Sequence, residues 1–234
     1  MIPASESRVP SPESRQLPIA VLASGRGSNL AALLDAHAAG KLPVEFKLVA
    51  GDHAGAPALR NAEAHGIPTF ALEPKSFANR REFDEALFAN VAASGAGLVV
   101  LAGFMRIIDP LVTAQWTGRM INIHPSLLPK YRGLHTHRKV LRHGDAEHGA
   151  SVHFVSAELD GGPVIAQARI DVRADDTEES LAARLLPFEH RLMVACVAAI
   201  ARGMLCQRDG RTWFNGAPLA APLKLDGDGR LAAA

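Results

Sequence analysis

Short apolar runs alternate with stretches of helical spacing through the first half of this 234-residue chain, and nothing else in the sequence constrains the fold as much. Residues 17–23, 44–50, 68–72, 98–102 and 119–123 are too short for helices and rich in Val, Ile and Leu, so each reads as a buried strand. Between them, residues 30–39 and 56–65 read as helices closed by Gly40 and Gly66. Residues 79–94 bring Phe83, Leu87, Phe88 and Val91 to one helical face, and Pro110 opens a helix to about Trp116. Strands without polar alternation, each followed by a helix, predict an α/β fold: a doubly wound, mostly parallel sheet with helices on both faces. Such sheets bind ligands at the carboxyl ends of their strands.

The second half changes pattern. Residues 136–143 read as a helix, and residues 150–155 and 163–171 as strands around the turn Glu158-Leu159-Asp160-Gly161-Gly162. Residues 177–202 form one long helix, with Thr177 and Ser180 at its start and a break expected at Pro187. Residues 204–214 read as a hairpin turning at Asp209-Gly210. The C-terminal part is thus expected to hold antiparallel strands and a long helix. Residues 1–16 read as a disordered extension, 17–216 as the domain and 217–234 as a tail.

Composition excludes several function classes. A net charge of +1 gives no electrostatic case for nucleic acid or an anionic membrane, and no apolar run is long enough to span a bilayer. Residues 1–16 lack the apolar core of a signal peptide, and two cysteines, Cys196 and Cys206, cannot build a disulfide framework. These features point to a cytoplasmic protein, monomeric or homodimeric, acting on small molecules.

Four segments carry chemistry. In 121–129 (INIHPSLLP), Asn122 and His124 share one strand face, where an amide can stabilise an oxyanion and an imidazole can carry a proton. The plain alternative is a turn cap and a hydrogen-bonded core histidine. In Ser24-Gly25-Arg26-Gly27-Ser28-Asn29, two glycines let the backbone approach an anion at a helix start; the alternative is a tight turn capped by Ser28 or Asn29. The loop is neither a dinucleotide fingerprint nor a Walker loop, so a small phosphomonoester suits it best. Residues 101–108 (LAGFMRII) follow a strand at the ligand edge and can line a slot for a flat ring, or simply pack as a loop. Asp160, in its glycine-flanked turn, can orient His124 or cap the turn. His135, His137 and His153 invite a zinc reading, but no cysteine or paired carboxylate accompanies them, so hydrogen bonding is expected instead.

These segments, in this order and spacing across about residues 19–213, resemble the phosphoribosylglycinamide formyltransferases, a folate-dependent formyltransferase family of purine synthesis. The shared motifs extend to residues 133–137 (GLHTH), 149–153 (GASVH), 158–163 (ELDGGP) and Glu189-His190. The resemblance implies the formyltransferase fold, 10-formyltetrahydrofolate as co-substrate and no metal. It implies Asn122, His124 and Asp160 as the catalytic trio. It implies Gly27, Ser28 and Asn29 on the substrate phosphate, with Arg80 near that phosphate and Glu189 on the ribose hydroxyls. It also implies Leu101, Met105, Arg106, Ile107, Ile108, Val155 and Asp160 around the folate. The chain departs from the family pattern at Leu186, where a polar residue is common, and at Pro187 and Met193.

Overall fold

The computed structural model describes residues 16–233. Its strands are β1 (Leu17–Leu22), β2 (Val44–Gly51), β3 (Thr69–Ala71), β4 (Leu98–Leu101), β5 (Met120–His124), β6 (Glu147–Phe154), β7 (Val164–Asp171), β8 (Leu205–Arg208), β9 (Arg211–Phe214), β10 (Ala217–Pro218), β11 (Leu223–Leu225) and β12 (Leu231–Ala232). Its α-helices are α1 (Ser28–Ala38), α2 (Pro57–Ala64), α3 (Arg80–Ala93), α4 (Pro110–Gln115), α5 (Thr136–His143) and α6 (Glu178–Ala201).

Nine strands make the main sheet, in the order β12-β11-β7-β6-β5-β4-β1-β2-β3. Strands β1 to β5 run parallel, β6 is antiparallel to both of its neighbours, and β7 pairs parallel with β11. The alternation along β1 shows why both faces are covered. Ile19 and Val21 belong to a core shared with α1, α2 and α6, whereas Ala20 and Leu22 belong to one shared with α3 and α4. All four are fully buried, which is what an uninterrupted apolar strand requires.

Chain order reverses between β1, which leads outward to β2 and β3, and β4, which leads to β5. A crevice opens at such a switch point beyond the strand ends. The loops after β1 and β4 are joined there: Ser24 N–H donates to the Gly103 carbonyl at 3.1 Å, and Met105 N–H donates to Ser24 Oγ at 3.0 Å.

The structure departs from the sequence reading at two places. Helix α6 runs through Pro187 without a break. Pro187 and Ala183 are both exposed, so the Ala183 carbonyl left without an N–H partner faces water. The expected tail supplies β10, β11 and β12; β11 extends the main sheet along β7, with Leu223 fully buried. Of residues 1–16, read as an extension, all but Gln16 lie outside the described residues. The expected hairpin turns at Asp209 (φ 49°) and Gly210 (φ 70°), the two positive φ values that a tight two-residue turn uses.

Candidate active site

Asn122 and His124 lie two residues apart on β5 and face the crevice side by side. The antiparallel neighbour β6 sets His153 directly opposite Asn122 and Ser151 opposite His124. Ser151 pins the loop that follows β5: its Oγ receives Leu128 N–H at 3.0 Å and donates to the Ser126 carbonyl at 2.7 Å. Gln167 on β7 adds a bond to the Leu128 carbonyl at 2.9 Å. A loop fastened by two buried side chains holds the strand end above it in one position.

The hydrogen bonds assign the proton positions. His124 Nε2 lies 2.9 Å from the Tyr131 carbonyl, which only accepts, so Nε2 carries the hydrogen and Nδ1 keeps its lone pair. That Nδ1 faces Asp160 Oδ2 at 3.5 Å. His153 Nδ1 lies 2.9 Å from the Phe154 carbonyl, so its Nε2 is the acceptor for the Asn122 side-chain N–H, at 3.2 Å. An amide carries two such hydrogens, and the second on Asn122 remains for a ligand.

Asp160 enters from the β6–β7 loop in the left-handed region, φ 48°. Its Oδ2 receives Gly133 N–H at 2.8 Å, and its Oδ1 stands 3.6 Å from His153 Nε2. Behind it the chain passes so close to β6 that a Cβ on Gly162 would stand 1.8 Å from the Phe154 carbonyl oxygen, so only glycine fits. Tyr131 (φ 56°) and His135 (φ 61°) are strained in the same way beside the site, whereas Asp209 and Asn215 have positive φ away from it.

Burial holds His124 below its ordinary value of 6.5; the Tyr131 carbonyl and the Asp160 charge oppose that shift without cancelling it. At neutral pH the ring is therefore an unprotonated base. Burial pushes the Asp160 carboxyl up, but the contacts it makes, the Gly133 amide among them, bring it below the usual carboxylate value, so it stays ionised.

A cavity of about 490 Å³ opens onto the pair. Asn122, His124 and Asp160 line it together with Leu101, Met105, Arg106, Ile107, Ile108 and Val155, so the expected slot and the expected trio share one space. Met105 and Ile107 are 71 % and 52 % exposed at its lip, unusual for such side chains outside a binding surface.

The remaining expected residues fall into two groups. Gly27, with φ 74°, precedes α1, and a Cβ there would stand 2.6 Å from the Ala58 Cβ. Ser28 and Asn29 form the first helical turn rather than the cap, and no side chain caps its amides. Asn29 lies beside Glu189 of α6. Burial pushes the Glu189 carboxyl up to about 7, with Asn29 pulling the other way. Arg80 opens α3, and its charge is felt by Asp84 and Asp109. Helix α3 follows β3 and packs on the face opposite α1.

Among the described residues no three His, Cys, Asp or Glu side chains gather as a metal site. His153 is engaged by Asn122 and Phe154, His137 Nδ1 meets His148 Nε2 at 2.9 Å, and His135 begins α5. The partnership of His153 with Asn122 was not legible from the sequence, which offered His153 only as one of three histidines. The Gly133 amide and the Tyr131 carbonyl were equally hidden, since both act through the backbone.

Comparison with known proteins then places the chain. The formyl transferase family model matches residues 17–197. This chain belongs to the formyl transferase family. The phosphoribosylglycinamide formyltransferase of Escherichia coli (strain K12) is 44 % identical to this formyl transferase over 198 residues, 85 % of this chain and 93 % of that one. The solved structure of a phosphoribosylglycinamide formyltransferase from Coxiella burnetii, in complex with CHES, superposes with a TM-score of 0.84 at 41 % identity, covering 88 % of this chain and 97 % of that one. A trifunctional purine biosynthetic protein, adenosine-3, of Drosophila melanogaster is 40 % identical over 191 residues, 81 % of this chain and 14 % of that longer protein. No α-helix among the described residues of this formyl transferase is long and apolar enough to cross a membrane.

Proposed function

We propose that this formyl transferase moves the formyl group of 10-formyltetrahydrofolate to the amine of phosphoribosylglycinamide, a step of purine synthesis in the cytoplasm, without a metal. One observation carries the reading: the spare Asn122 N–H, the free His124 Nδ1 and the ionised Asp160 converge on the wall of a single, largely apolar slot.

The chemistry follows from those atoms. The amine nitrogen attacks the formyl carbon, and the formyl oxygen becomes an oxyanion. The spare Asn122 N–H stabilises it; loss of one such donor typically costs about 3 kcal/mol of barrier. The attacking nitrogen must shed a proton, and neutral His124 takes it at Nδ1. The resulting imidazolium lies against Asp160, which stabilises it. Breaking the bond from the formyl carbon to folate N10 leaves that nitrogen needing a proton, which His124 returns. The products are the formamide and tetrahydrofolate, and His124 is neutral again.

The slot formed by Leu101, Arg106, Ile107, Ile108 and Val155 suits the flat pterin, with the exposed Met105 along the outer part of the donor. The uncapped start of α1 at Gly27, Ser28 and Asn29 suits the phosphate, and Glu189 suits the ribose hydroxyls.

Incubating the protein with 10-formyltetrahydrofolate and the ribonucleotide tests the proposal. Tetrahydrofolate and formylated ribonucleotide should appear in equal amounts, and only when both substrates are present. Formate released without the ribonucleotide, or no turnover at all, overturns it.

A further inference from the structure

The loop between β4 and α4 walls the donor slot with Arg106, Ile107 and Ile108. Among the described residues, these three make no backbone hydrogen bond, so nothing in the loop itself fixes them. Their place is set at the two ends. At one end Met105 N–H donates to Ser24 Oγ at 3.0 Å. At the other, Asp109 N–H donates to Asp84 Oδ2 at 2.7 Å.

Asp84 is out of character for its surroundings. It lies on the buried face of α3 with Phe83, Leu87, Phe88 and Val91, and it is fully buried. An ionisable side chain is costly there, and its Oδ1 has no partner at all. The one hydrogen bond it does make goes to the slot loop. The residue before it reaches the same loop: the Arg106 guanidinium lies 4.8 Å above the Phe83 ring, and the buried Arg106 Nε is likewise unpartnered. Burial pushes the Asp84 carboxyl up, and the Asp109 amide and the Arg106 charge oppose that shift. Arg81 adds an ion pair to Asp109 Oδ2 at 3.3 Å, but it is half exposed and contributes little. Phe83 and Asp84 thus hold the two ends of the segment 106–109 from one turn of α3.

We propose that Asp84 is a positioning residue for the formyl donor: by holding the Asp109 amide, it keeps Arg106, Ile107 and Ile108 at the spacing that a flat ring requires. This rests on the reading of the donor half-site given under Proposed function. Asp84 is fully buried and acts through the loop, so its effect falls on the affinity for one substrate.

Steady-state kinetics with each substrate varied, and equilibrium binding of tetrahydrofolate, test the assignment. Asp84→Ala should raise KM for the folate about tenfold, the worth of one charge-assisted hydrogen bond, while KM for the ribonucleotide stays put. Its kcat at saturating folate should change much less than that KM. The dissociation constant of tetrahydrofolate, which needs no turnover, should rise by the same factor. Asp84→Asn keeps an acceptor of the same shape but not its charge, so it should raise both values only about threefold. If Asp84→Ala does not fold, this near-isosteric variant decides: unchanged tetrahydrofolate binding in Asp84→Asn overturns the proposal. An equal rise in both KM values, or unchanged tetrahydrofolate binding in a folded Asp84→Ala, also overturns it and shows Asp84 to be structural only. A wild type that binds no tetrahydrofolate overturns the donor half-site itself. Tetrahydrofolate binding that depends on Asp84, without any formylated ribonucleotide, overturns the wider function and leaves this role standing.

Discussion

His153 Nε2 accepts one side-chain N–H of Asn122 at 3.2 Å across the β5–β6 pair, so the neighbouring strand decides which way the catalytic amide faces. The Phe154 carbonyl fixes the tautomer that makes this possible. Replacing His153 with Phe removes the acceptor and lets the amide turn over. Its turnover should fall at least tenfold with little change in either KM, since the oxyanion contact exists only in the transition state. His153→Gln, which keeps an acceptor, should recover part of the rate. Wild-type turnover in His153→Phe would show that Asn122 is oriented by other means.

Glu189 is expected to trade stability for binding. Its carboxyl is raised in the folded state, to about 7 from 4.5. The stabilising contribution of the protonated form is complete below the unfolded value and is lost as pH rises through about 7. Glu189→Gln should therefore be more stable than wild type at pH 8, by about 1–3 kcal/mol, and nearly equal to it at pH 4.5. The same variant should bind the ribonucleotide more weakly. Urea unfolding at the two pH values checks the first part and KM the second; a variant less stable at pH 8 would contradict the assignment.

His148 should make the fold acid-sensitive. It is buried on β6 against His137, and burial brings it down from 6.5 to about 4. A lowered folded value means stability is complete above 6.5 and drains away as pH falls through about 4, a loss of about 3 kcal/mol over that window. Neutral His148→Leu should flatten the unfolding profile between pH 7 and 4. A profile as steep as that of the wild type would place the acid sensitivity elsewhere.

Gly27→Ala should fail at the phosphate half-site. Its backbone lies at φ 74° and the added methyl meets Ala58 at 2.6 Å. A loss of about 1–3 kcal/mol in stability and a raised KM for the ribonucleotide are expected. Normal values for both would mean that the loop shifts freely.

Much of this molecule was legible in its sequence because strongly buried elements advertise themselves. The runs at β1 and β4 are continuous and apolar, β5 interrupts its apolar residues only with Asn122 and His124, and α5 spans the same residues, 136–143, that its pattern predicts. What stayed hidden depends on partners distant in the chain. Strand β6 starts at Glu147, three residues before its apolar signal, because β7 pairs with a polar stretch there. Strands β10 to β12 are short and partly polar, and only the open edge of β7 gives β11 a place. Pro187 is tolerated because its side of α6 faces water, which composition does not reveal. Asn122, His124 and Asp160 stood out as residue types, but the Gly133 amide and the Tyr131 carbonyl that fix them are backbone atoms.

The most direct test of the central claim is the turnover number of Asp160→Asn. That variant keeps the shape of the carboxyl and removes the charge that stabilises the His124 imidazolium, so it should fold with a wild-type circular dichroism spectrum and lose about 10²–10⁴ in kcat. Asn122→Ala and His124→Ala should fall comparably. A folded Asp160→Asn that formylates the ribonucleotide within a fewfold of the wild-type rate would remove Asp160 from the reaction and contradict the mechanism.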